Sequence, residues 1–243
     1  MTNLRSFLAL ILLAALPACG NLNYDSLPKD GKFTGSLFVM WVRDNESGSG
    51  DGKFVFVPNP ARPLTFIRDT RTNPGATLPV IVPGMMYTDG GSIPRPVQFF
   101  RGFSPWGYAP AYMVHDWLFV ARHCLTDGTA MGDEFKVADT TFRESAEVIG
   151  EAIKALIAAE RVQRNDVAPA VISGAVAGPI AEARWRARGA CAGDRVTPEH
   201  MAEAQAGIPG SARARRGTLM QTLPDGRRVA ITPGRFVAEV SFD

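Results

Sequence analysis

The chain runs to 243 residues with a formal net charge of +2, and 46% of it is hydrophobic against 21% charged. A chain of this length and balance buries a core of its own, which excludes a disordered protein, and it suits one domain or at most two. So mild a charge gives no argument for the strongly basic surface on which nucleic-acid binding rests, and no nucleic-acid partner is expected.

Residues 1–18 read as an export signal. Arg5 supplies a thin positive start, and residues 7–16 form an apolar run too short to span a bilayer. The run closes on Leu16-Pro17-Ala18-Cys19-Gly20, which resembles the lipobox of bacterial lipoproteins. That resemblance implies a diacylglyceryl group on Cys19 and a membrane as partner, since each buried CH₂ of an acyl chain contributes about 0.8 kcal/mol. No acidic residue stands directly after Cys19, where the chain reads Gly20-Asn21-Leu22-Asn23. By analogy with sorting in Gram-negative bacteria, the expected place is the outer membrane, facing the periplasm. The alternative is a plain signal peptide with an incidental cysteine. With Cys19 lipidated, Cys124 and Cys191 remain, and in an oxidising compartment they either pair or stay as two thiols. A bridge between them would close a loop long enough to stabilise by about 4 kcal/mol.

Residues 19–31 read as a polar tether. Residues 33–42 are rich in β-branched and aromatic side chains, and 53–57 repeat that signal after the flexible stretch 45–52, so the two form a hairpin. Residues 64–68 and 78–82 are two further short strands, separated by prolines. Pro110 suits the first turn of a helix over 111–122 that is apolar on nearly every face and therefore buried. After a loop at 128–132, residues 133–149 read as one amphipathic helix with Phe135, Ala138, Phe142, Ala146 and Ile149 on its inner stripe, and 151–163 continue helical. Residues 167–181 form a buried helix, in which Gly174 and Gly178 permit close backbone approach. Arg184 to Arg188 give it a basic end. Thr197 can cap a short helix. Residues 218–223 and 227–231 flank Pro224-Asp225-Gly226 as a hairpin, and 236–242 alternate as a last strand. The expected class is α+β: N-terminal antiparallel strands, then a helical core, with a C-terminal β hairpin.

The chemistry gathers between Thr88 and Asp139. Asp89-Gly90-Gly91-Ser92 is a glycine-rich turn, closed by Ile93-Pro94-Arg95, and the buried helix that follows carries His115 and Asp116 side by side. Asp139 falls inside the apolar stripe of the next helix. A carboxylate turned into a core costs several kcal/mol unless paired, and His115 faces the same penalty. Asp139 on one ring nitrogen of His115 would answer both, leaving the other nitrogen to take a proton from water. Asp116, roughly 100° further round the helix, could then hold a cation such as Ca²⁺. Asp89 and the backbone at Gly90 and Gly91 would be its further ligands, or the turn's N–H groups would hold an oxyanion. The structural alternative is a polar cluster of His115, Asp116, Asp139, Asp89 and Arg95 that pins the turn to the helices.

The order Thr88-Asp89-Gly90-Gly91-Ser92-Ile93-Pro94-Arg95, then His115-Asp116-Trp117-Leu118-Phe119, then Ala138-Asp139 resembles an uncharacterised family of tailed phages, prophages and bacterial genomes, known only as a domain of unknown function. Val82-Pro83-Gly84 and the small-residue helix ending near Trp185 also fit. The resemblance covers residues 33–188, and 189–243 lie beyond it as an extension. Gly91 replaces the family's alanine, and Phe119 replaces its tyrosine, which removes a hydroxyl four residues after the histidine. The site is also similar to that of secreted phospholipases A2, which carry His-Asp on a helix, a distant aspartate and a glycine-rich calcium loop. That likeness implies His115 as the base, Asp139 as its orienting acid, Asp116 as a calcium ligand and Gly90 and Gly91 in the loop. The tyrosine and the cysteine framework of that family are missing here.

His123 and His200 read as solvated, and Arg213, Arg215 and Arg216 as a solvated basic loop or an anion-binding cluster. Two functions from different classes follow. One is a lipid-anchored envelope hydrolase built on His115. The other is a non-catalytic binding or structural lipoprotein in which the same residues hold the fold.

Overall fold

A computed structural model describes residues 22–42, 53–88, 107–162, 172, 174, 176–210 and 217–242. The β-rich run forms β1 (Lys32–Val42), which pairs antiparallel with β2 (Lys53–Pro58) from Leu37↔Pro58 to Val42↔Lys53. β3 (Thr65–Ile67) pairs with the start of β1 and with β4 (Val80–Ile81), and β5 (Met86–Thr88) pairs with β2. Only β5 was not legible in advance. β6 (Leu219–Thr222) and β7 (Arg228–Ile231) form the expected hairpin as a separate two-stranded sheet, with Gly226 at φ 86° in its turn. The last strand, β8 (Arg235–Phe242), does not join them. It runs antiparallel along β1 from Gly35 to Trp41. Because β2 and β8 use the same stretch of β1, they flank it on its two edges, and the end of the chain closes the sheet that its beginning opened.

β1 is buried along both faces because each face has its own cover. Leu37 and Val39 turn toward the main core with Phe56, Met113 and Ile149. Phe38, Met40 and Val42 turn the other way, onto Val55, Val57, Val196 and Ala204. Gly35 marks the bend between the β3-paired and β8-paired parts of the strand. It sits at φ 77°, and a Cβ there would lie 2.2 Å from the Pro63 carbonyl oxygen.

α1 (Ala109–Thr126) has Pro110 in its first turn and is buried on nearly every side, as its composition demands. α2 (Phe142–Ala158) packs against it and touches β1. The single helix expected over 133–149 is two elements. A short 3-10 helix, Gly132–Val137, is closed by the Glu134 carboxylate, which accepts from Met131 N at 2.7 Å. α2 starts afresh where Thr141 Oγ1 accepts from Glu144 N at 3.1 Å. Local side-chain bonds to backbone thus outcompete the apolar period: Phe135 stands 60% exposed, and Ala138 is exposed too. The continuation over 151–163 also stops early. Glu160 N donates to Ile157 O and Arg161 N to Leu156 O, with Glu160 at φ 55°, a left-handed cap that ends α2.

Most of 163–175 lies outside the described residues, though Ile172 is helical and buried. A Cβ on Gly174 would meet nothing within 4 Å among the described residues. α3 (Pro179–Trp185) is a helix of its own after Gly178, followed by α4 (Cys191–Asp194) and α5 (Pro198–Gly207), the last capped by Thr197. Close backbone approach occurs between α5 and the entry to β8, where a Cβ on Gly207 would lie 2.3 Å from Gly234 O. No helix among the described residues is long and apolar enough to cross a membrane.

Candidate functional site

α1 carries His115 through the core with 5% of the residue exposed. Its Nδ1 stands 3.1 Å from Asp116 Oδ1, and its ring packs on Phe119 with centroids 4.9 Å apart. An ionised carboxylate can only accept, so Nδ1 carries the proton and, in the neutral ring, Nε2 carries the lone pair. Nε2 is buried and has no hydrogen-bond partner among the described residues. Asp116 keeps 35% of its side chain in solvent. The carboxylate beside His115 Nδ1 is therefore that of its own neighbour. Asp139 does not stand there, because it sits in the exposed turn before α2 and makes no hydrogen bond or ion pair to any described residue. Its apparent place on an apolar stripe depended on a helix that does not extend that far.

The Val82-Pro83-Gly84 segment approaches the same helix. Gly84 lies against the indole of Trp117, so close that a Cβ there would be 3.0 Å from Nε1. β5 packs on α1 and ends at buried Thr88. Asp89, Gly90, Gly91, Ser92 and Arg95 lie outside the described residues, as do Cys19 and Arg213, Arg215 and Arg216. Among the described residues, no group of three or more His, Cys, Asp or Glu side chains is placed to hold a metal ion.

Tyr112, one turn before His115 and 2% exposed, also has a hydroxyl with no partner among the described residues. Burial, then the nearby charge of Asp116, raises its pKa and keeps it protonated. Sequence reasoning passed over it as one more apolar residue of a buried helix. Its spacing from His115 was the available signal.

Two other polar clusters were missed. His123, expected in solvent, is 1% exposed, with Nδ1 2.5 Å from Asp194 Oδ2 and Nε2 2.6 Å from Arg184 O. The Asp194 bond raises its pKa against the opposing effect of burial. Beside it Cys124 and Cys191 form a disulfide, with Asp127 accepting from Gly189 N and Cys191 N. His200 is half-buried and sits 2.6 Å from Tyr87 Oη. The second cluster centres on Arg68, whose guanidinium donates twice to Glu151, at 2.7 and 2.8 Å, and once to Glu144, at 2.5 Å. Thr77 N and Oγ1 complete the shell of Glu144 at 2.8 and 2.6 Å. Every strong acceptor here is engaged, so this cluster holds β3, α2 and the 73–77 turn together.

No family model, no curated protein and no solved structure matches the chain.

Proposed function

We propose that the protein is a lipid-anchored hydrolase of the bacterial cell envelope, built on the phage-associated family that its motifs resemble, with Nε2 of His115 as general base. One observation carries the reading: a buried histidine whose Nδ1 is held by a carboxylate while Nε2 stays unpartnered. Such a dyad is arranged to take a proton. The substrate class is a carboxylic ester. Water gives a proton to Nε2 as its oxygen adds to the carbonyl carbon and the carbonyl electron pair moves onto oxygen. Collapse breaks the bond to the alkoxy oxygen, which takes the proton back from Nε2. Asp116 stabilises the imidazolium formed between these steps. A divalent cation, if the site takes one, has Asp116 and Asp89 as its carboxylate ligands.

The non-catalytic lipoprotein is the second reading, and the depth of His115 favours it. Two clefts among the described residues, one lined by Leu22, Phe142 and Ala146, the other by Asn73, Thr77 and Glu147, do not include His115. Both readings are separated by assaying the full chain and His115→Asn on phosphatidylglycerol vesicles and p-nitrophenyl butyrate, with and without millimolar Ca²⁺, beside thermal unfolding. The hydrolase reading expects a rate loss of about 10²–10⁴ in the variant at nearly unchanged Tm. A large fall in Tm and no hydrolysis by the wild type would leave the structural reading.

A further inference from the structure

Tyr112 and His115 stand one turn apart on α1 and therefore share a face. Tyr112 Oη and His115 Nε2 are both buried without partners, and among the described residues only Tyr24 Oη is in the same condition. Buried polar groups in folded proteins are almost always paired, and two exceptions one turn apart call for an occupant.

The chemistry of that occupant follows from the two atoms. His115 donates through Nδ1 toward Asp116, so Nε2 offers a lone pair. Tyr112, kept protonated by its surroundings, offers an O–H. One acceptor and one donor, three residues apart on one helix, match a group that both donates and accepts through a single oxygen. A carboxylate would meet the Nε2 lone pair with another lone pair, and an ammonium group could not accept from the tyrosine. A hydroxyl satisfies both.

We infer that Tyr112 Oη and His115 Nε2 form a two-point site for one hydroxyl group, the water of the hydrolytic step, with Tyr112 as its positioning residue. This rests on the hydrolase reading for the identity of the hydroxyl, but not for the existence of the site. The bound oxygen donates one hydrogen to Nε2 and accepts from Tyr112, which leaves its second lone pair for the carbonyl carbon. Tyr112 keeps its own proton throughout.

Tyr112→Phe deletes only the hydroxyl. In the full-chain protein, ¹⁵N NMR of the histidine rings should show the His115 Nε2 resonance move. Tm should fall only slightly, because the bound hydroxyl keeps its bond to His115 Nε2 and loses the one from Tyr112. The rate on p-nitrophenyl butyrate should fall about tenfold at unchanged KM, since a misplaced nucleophile costs rate more than binding. An unmoved Nε2 resonance overturns the site. Wild type without hydrolysis, but with the resonance still moving in the variant, retires the hydrolase reading and leaves the hydroxyl site standing. Should the variant not fold, a crystal structure of the wild type decides. One oxygen within about 2.6–3.2 Å of both atoms supports the site, and a dry gap between them overturns it.

Discussion

His115 and His123 sit on the same face-rich helix in opposite states. His115 has one nitrogen on a carboxylate and one open, whereas His123 meets an acceptor at each nitrogen, Asp194 and the Arg184 carbonyl. A ring between two acceptors satisfies both only as the imidazolium, and its pKa is accordingly raised, first by the Asp194 bond. The folded value then exceeds the unfolded one, so the stabilisation is complete below the ordinary histidine value of about 6.5 and is lost as pH rises through the raised value. Urea unfolding between neutral and mildly alkaline pH should show wild-type stability declining across that window. Asp194→Asn should lose about 1–3 kcal/mol at the acid end and flatten the profile; parallel profiles would refute the assignment. Nothing near His123 in the chain foretold this, since both partners lie more than 60 residues away. The His115–Asp116 contact, by contrast, joins neighbours, and the dipeptide itself marked the place.

Helix α2 shows how an element is bounded by its ends rather than by its stripe. Thr141 starts it and the left-handed residue Glu160 stops it. A left-handed conformation costs a side-chain-bearing residue about 1–2 kcal/mol, which glycine avoids. Glu160→Gly should therefore raise stability by about 1 kcal/mol, read as a higher urea midpoint at unchanged m; a lower midpoint would mean that the glutamate side chain holds something the cap geometry does not require. The apolar period from Phe135 to Ile149 misled because a period carries no information about where hydrogen bonds break it. Thr140-Thr141 was the overlooked stop signal, and with it went the inward placement of Asp139.

Across the molecule, three long-range ties hold the α+β frame: β8 along β1, the Arg68 cluster between β3 and α2, and the bridge from α1 to α4. The Cys124–Cys191 bond spans 67 residues, and a loop of that size stabilises by about 4 kcal/mol in the chain-entropy model. Reduction under native conditions should lower stability by about that amount and loosen α3 and α4 first, seen as faster amide exchange from 178 to 195 than in β1 and β2. Uniform loosening would show instead that the bridge constrains the whole frame.

Strands β1 to β4, the buried α1, the C-terminal hairpin and the α+β class were legible in the sequence, because each depends on a local period, a proline position or a turn tripeptide. So was the buried histidine beside an aspartate, through the His115-Asp116 dipeptide on an apolar helix. Only the tertiary structure decided that Asp116 rather than Asp139 holds His115, that Tyr112 shares its unpartnered condition, that Cys124 pairs with Cys191, and that the last strand belongs to the first sheet. Those outcomes depend on which distant surfaces pack together, and packing free energy is a property of the assembled core that no short window of the chain contains.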